Sequence, residues 1–273
     1  LPGWLSEGLP EGRTEKVWND FKERLLASPH EKTVISSEHF YKAATVKPEI
    51  IRGIRNDLPD VEIEIIVYFR RPDQFAQSNW AHNIKTVRDF RQSFSNYIQT
   101  DAVKSLLSYE ANLKAWQDVF GPENVKVRLY DRKLFRNGDI IDDFLDILGC
   151  ERHPDMKPVG EVNVSLSPYV LDFLHDLDRT KIDRYGLFVS TLERYAEKYI
   201  FPSTMKDYSA LTDDLANELL DRFGEEYAAV AKYAMKGDLD LNALRPAGKR
   251  TSKSSVDSAT KALAMELWHP AQR

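Results

Sequence analysis

At 273 residues the chain can form one large α/β domain or two small ones. Hydrophobic residues at 42% and aromatics at 11% supply a substantial core, while 30% charged residues describe an ordinary polar surface. A formal net charge of −5 gives no support to general nucleic-acid binding, which uses a broadly basic face, though it leaves room for a local basic pocket. No apolar run reaches the length of a membrane span, and Leu1–Pro10 lacks a signal-peptide pattern. Cys150 is the only cysteine, so an internal disulfide and a cysteine-based zinc site are both out, which fits a reducing cytoplasm.

The first thirteen residues, rich in Pro and Gly, read as loop. Thr14 is placed to cap a helix whose stripe is Val17, Trp18, Phe21, Leu25 and Leu26. Lys32–Ser36 predicts a short strand that ends in the polar cluster Ser36-Ser37-Glu38-His39-Phe40. A helix over Pro48–Leu58 follows, with Ile50, Ile51 and Ile54 inward. Ile63–Phe69 is β-branched and aromatic, and predicts a buried strand. Arg70-Arg71-Pro72-Asp73 comes next, where Pro72 suits the first turn of a helix running on to Lys85.

Helical spacing continues through Leu106, Leu107, Leu113, Trp116 and Val119, with a break near Thr100-Asp101, until Gly121-Pro122 stops it. Val125–Tyr130 alternates as a strand, Asn137-Gly138 is a turn, and Ile140–Leu148 is a short helix closed by Gly149. A Pro- and Gly-rich loop over Cys150–Val162 precedes Ser167-Pro168, which opens a helical half reaching Tyr233. Lys249–Lys261 is a polar Ser/Thr/Lys-rich tail, with a last helical turn possible over Ala262–Trp268. Three strands each followed by helix argue for a parallel sheet flanked by helices.

In open α/β sheets, ligands bind beyond the carboxyl ends of the strands. Arg70 stands there, and Ser78 follows eight residues later in the next helix. A guanidinium fork plus a hydroxyl near a helix N-terminus suits a phosphate, while a solvated loop and a surface serine would give the same letters. Arg71 could reach the same group or pair with Asp73.

The segment Y-F-R-R-P-D-Q-F-A-Q-S resembles the 3′-phosphate motif of sulfotransferases that use 3′-phosphoadenosine 5′-phosphosulfate (PAPS), with Arg70, Pro72 and Ser78 at the matching positions. The second arginine and the following N-W-A-H-N-I-K are most similar to bacterial carbohydrate-type or capsular-type members. The resemblance runs from about Thr33 to Leu174 and implies a P-loop-NTPase-like parallel sheet flanked by helices, with a largely helical C-terminal half. It implies a transferase that takes PAPS as co-substrate, needs no metal, and sulfates a carbohydrate or other small acceptor by in-line transfer. Domain boundaries follow: an α/β core over 1–180, a helical extension over 181–245 packed on it, and a polar tail over 246–273.

On this resemblance Arg70 and Ser78 hold the 3′-phosphate. Glu38, in V-I-S-S-E-H-F, resembles the glutamate-bearing element of the bacterial branch and is the candidate base, with His39 the alternative; a carboxylate capping the next helix would look the same. Ser78, His82 and Lys85 share a helix face, so His82 and Lys85 are candidates for the acceptor pocket or for a solvated surface, and Trp80 for core packing. N-V-S-L-S-P resembles the late element of the bacterial members, making Lys157, Asn163 and Ser165 candidate cofactor contacts, although the usual Gly- and Arg-rich form of that loop is absent. Nothing in Leu1–Glu31 matches the family's phosphosulfate-binding loop, which is expected upstream of Leu1. Two other readings stay open: a catalytically silent scaffold or nucleotide-binding module of the same fold, and a kinase of similar fold using Asp131 as a magnesium carboxylate.

Overall fold

The strand Ile65–Phe69 (β1) carries only apolar and aromatic side chains, and Val125–Leu129 (β2) alternates apolar with basic ones. In this computed structural model, which describes residues 13–156, 166, 168–199, 210–235 and 237–246, the two pair in parallel with Ile65 opposite Val125 and Phe69 opposite Leu129. Side chains alternate across a sheet, so Ile65, Val67 and Phe69 share a face with Val125, Val127 and Leu129. Phe69 and all three β2 residues are buried there.

That face is the core. Helix α7 (Tyr109–Phe120) packs on both strands, and α11 (Asp213–Ala234) lies across β2, α7 and α4 (Pro72–Thr86). One hydrophobic cluster runs from Ala43 through Phe69, Trp116 and Phe173 to Ala231, so the C-terminal helices share the core of the sheet. The opposite face carries Tyr68 and Arg128, and α8 (Ile140–Ile147) closes it through one buried carboxylate, Asp143. Tyr68 donates its hydroxyl to Asp143 (2.7 Å), the Arg136 N–H does likewise (3.1 Å), and Arg128 lies 3.8 Å away. Asp139 caps α8 by accepting the Ile141 N–H (2.7 Å).

The remaining helices fill in around this frame: α1 (Arg13–Leu26), α2 (His39–Val46), α3 (Pro48–Asp57), α5 (Phe94–Tyr97), α6 (Asp101–Leu107), α9 (Pro168–Asp176) and α10 (Tyr185–Tyr199). Helix α2 packs on α3 and α7 through buried Ala43 and Ala44. Gly121 ends α7 at φ 88°, a conformation that glycine adopts without a Cβ clash.

The architecture is therefore mixed α/β with a small parallel sheet between helices. The expected third strand is a correction. Lys32–Ser36 joins no sheet among the described residues; Val34 and Ile35 are half exposed, at 51% and 54%. Without a partner to take its N–H and C=O groups, a β-branched run remains extended coil. Thr14, the expected cap of α1, falls within the helical residues described from Arg13. Among the described residues no helix is long and apolar enough to cross a membrane. The tail over 249–261 and the helical turn over 262–268 lie outside the described residues.

Candidate functional site

The site lies where β1 passes into α4. The chain makes that turn with each of three successive carbonyls held by a different donor. Phe69 O accepts the Tyr130 N–H (2.7 Å), Arg70 O accepts the Tyr109 hydroxyl (2.8 Å), and Arg71 O accepts the Phe75 N–H as α4 begins (2.8 Å). Pro72 occupies the first helical position, where a missing N–H costs nothing.

The two arginines take different tasks. Arg71 forms a bidentate pair with Asp73, Nε to Oδ1 at 3.0 Å and Nη2 to Oδ2 at 2.7 Å, and the Asp73 side chain is 1% exposed. Its charge is spent on the first turn of α4. Arg70 has no carboxylate partner among the described residues. Its guanidinium lies over the Tyr130 ring at 5.4 Å, and its Nε is buried with no hydrogen-bond partner among the described residues. A buried N–H left unpaired costs on the order of 1–3 kcal/mol, so a ligand oxygen that accepts it gains in proportion. The group Arg70-Arg71-Asp73 carries one net positive charge, at the positive end of the α4 dipole.

Tyr130 stands at the carboxyl end of β2 and is 42% exposed, with Phe135 edge-on to it at 5.4 Å. Together Arg70 and Tyr130 offer a cation beside an aromatic face, which suits an anion attached to a planar ring. Tyr227 reaches the same end from α11. It packs 5.7 Å from Tyr109 and senses the charges of Asp131, Arg71 and Asp73; burial, then Asp131, pushes its hydroxyl pKa well up. The hydroxyls of Tyr109 and Tyr227 are thus held neutral, and that of Tyr109 donates to the Arg70 carbonyl.

Ser78 is exposed on α4, six residues past Pro72 and about 9 Å up the helix axis. His82 is exposed one turn further on, and its carbonyl accepts the Thr86 hydroxyl (2.8 Å). Lys85 pairs with Glu193 on α10 at 2.6 Å, so its charge serves to tie two helices together. Trp80 is 3% exposed, donates Nε1–H to the Gln92 carbonyl (2.9 Å) and packs against Phe94, as a core residue does.

Glu38 does not sit at the carboxyl end of a strand, because Lys32–Ser36 forms none. It occupies the N-cap position of α2, exposed and without a side-chain capping bond. One turn on in α2, Tyr41 packs against Phe69 (6.2 Å) and Phe75 (5.3 Å). His39 opens α2, exposed, with its N–H donated to the Ser37 hydroxyl (3.3 Å). Lys157, Asn163 and Ser165 lie outside the described residues.

Sequence reading missed Tyr130, Tyr109 and Tyr227. Tyr130 was within reach, since it ends a strand as Arg70 nearly does. Tyr109 and Tyr227 sit at helical spacing, indistinguishable from core.

No protein-family model matches the chain, and no solved structure matches it. An uncharacterized protein of Archaeoglobus fulgidus is 32% identical over 104 residues, which cover 38% of this chain and 27% of that protein. The chain therefore matches about a quarter of that relative's length.

Proposed function

We propose that the protein is a sulfotransferase that moves a sulfuryl group from PAPS to a hydroxyl of a carbohydrate or other small acceptor. The observation that carries this reading is Arg70: a cation with a spare buried N–H, at the carboxyl end of a parallel strand, followed by a helix that Pro72 starts. On this reading the parallel pair belongs to a P-loop-like sheet and the protein works in the cytoplasm. Arg70, with Ser78, takes the 3′-phosphate, and the Tyr130 face takes the base. In the transfer the sulfur–oxygen bond to the 5′-phosphate breaks as the acceptor oxygen bonds to sulfur. The acceptor proton passes to Glu38, and 3′-phosphoadenosine 5′-phosphate leaves. Positioning and charge stabilisation do most of the work, as in phosphoryl transfer.

A second reading, a catalytically silent nucleotide-binding module, is favoured by Glu38 standing on a helix start rather than on the sheet. Calorimetric titration with 3′-phosphoadenosine 5′-phosphate beside 5′-AMP tests both. Binding that requires the 3′-phosphate and disappears in Arg70→Ala supports the site. Absence of such binding by the folded protein sinks both readings. Nucleotide binding with no sulfation across an acceptor panel selects the silent module.

A further inference from the structure

We propose that Tyr109 is the positioning residue of Arg70. In extended chain, successive carbonyls point to opposite edges of a strand. Phe69 gives its carbonyl to Tyr130 on the β2 side, so the Arg70 carbonyl faces the other edge of β1. No strand pairs with that edge among the described residues. The donor that a neighbouring strand would supply comes from the Tyr109 hydroxyl, at 2.8 Å.

This bond stands out among those that hold the turn. The Phe69 and Arg71 carbonyls are held by main-chain N–H groups, which any sequence provides. The Arg70 carbonyl depends on one side chain, and the Arg70 Nε is itself buried without a partner among the described residues. Tyr109 itself is built in rigidly. It is fully buried at the start of α7, edge-on to Phe69 at 5.4 Å and packed against Tyr227 at 5.7 Å. Burial first, and then its neighbours Tyr41, Tyr227, Asp73 and Glu226, hold its pKa well above the usual tyrosine value, so it remains a donor at every working pH. The hydroxyl fixes the peptide from which the guanidinium departs and so sets where the unpaired N–H points.

The experiment compares wild type, Tyr109→Phe and Tyr41→Phe. Tyr41 also donates a hydroxyl to a main-chain carbonyl, that of Leu106 at 3.0 Å, and so serves as a control for the general loss of a part-buried hydroxyl bond. The first readout is the arginine Nε–H signal of Arg70 in a nitrogen-15 NMR spectrum, which needs no ligand. Tyr109→Phe is expected to broaden that signal and speed its hydrogen exchange at least tenfold, whereas Tyr41→Phe leaves it in place. An Arg70 signal unchanged in Tyr109→Phe, or changed equally in both variants, overturns the proposal. The second readout rests on the nucleotide reading: the preference for 3′-phosphoadenosine 5′-phosphate over 5′-AMP falls about tenfold in Tyr109→Phe with 5′-AMP affinity unchanged. A variant that keeps the wild-type preference also overturns the proposal. If the wild type shows no such preference, the nucleotide reading fails by itself, and the NMR signal still decides the role of Tyr109.

Discussion

Replacing Arg71 by Met tests whether the two adjacent arginines differ as the geometry says. Asp73 has both carboxylate oxygens on Arg71, at 3.0 and 2.7 Å, and its side chain is 1% exposed. Removing the guanidinium strands a buried charge, a change that typically costs about 3–5 kcal/mol. Asp73 keeps its place in the first turn of α4 in both proteins, so its interaction with the helix dipole cancels in the difference. Arg71 also keeps 21% of its side chain exposed, so solvent already screens part of the pair. The expected loss is therefore about 3 kcal/mol, or about 6–12 °C in Tm for a chain of this size. Arg71→Met/Asp73→Leu removes both charges and should return to within about 1 kcal/mol of wild type, a coupling of at least about 2 kcal/mol. Guanidinium unfolding followed by tryptophan fluorescence measures all four proteins of the cycle. An Arg71→Met variant within about 1 kcal/mol of wild type, or a double variant whose losses add, would refute the assignment of Arg71 to structure.

Arg179 makes the opposite prediction. It is fully buried, its Nη1 donates to the Ile84 carbonyl (2.8 Å) that Tyr185 also uses, and its Nε and Nη2 have no hydrogen-bond partner among the described residues. A buried cation so poorly matched gains little beyond the negative end of α4, so Arg179→Met should stay within about 1 kcal/mol of wild type or exceed it in chemical denaturation; a loss above about 3 kcal/mol would refute this. Asp178 is held down to about 2 by the Thr180 hydroxyl first, then by Lys181 and Arg91. A carboxyl lowered by folding stabilises the fold above its unfolded pKa, near 4, and loses that contribution as pH falls toward 2. Asp178→Asn should flatten the unfolding midpoint against pH over that interval, and an unchanged acid limb would refute the assignment.

Local pattern carried the elements whose partners are local or whose faces are fully apolar. I-I-V-Y-F became β1, V-K-V-R-L became β2, and Gly149 closed α8 in the left-handed region at φ 66°. Lys32–Ser36 has the same β-branched character, but a strand exists only against a partner, and pairing is not written in the run itself. Helix α2 went unseen for a related reason. H-F-Y-K-A-A-T-V has no side-chain capping bond from its N-cap residue Glu38, and its stability comes from burying Ala43 and Ala44 against α3 and α7. The face shared by Ser78, His82 and Lys85 was legible, yet Glu193, more than a hundred residues away, decides what Lys85 does.

The site divides along the same line. That Arg70 follows a strand, that Pro72 starts a helix, and that Asp73 sits within reach of Arg71 are all short-range facts, and the sequence showed them. What separates a paired arginine from a free one is the direction in which each leaves the chain. Tyr109 settles that direction for Arg70 from 39 residues downstream. Tyr227 then packs on Tyr109 from the far helix α11. Among the described residues no neighbouring strand offers its donors to the free edge of β1, so side chains from distant helices complete the turn that presents the cation. The strand-end motif gives the chemistry of the site; the tyrosines packed beside it set the geometry. Substitutions at Tyr109 should therefore act on ligand discrimination before they act on the fold.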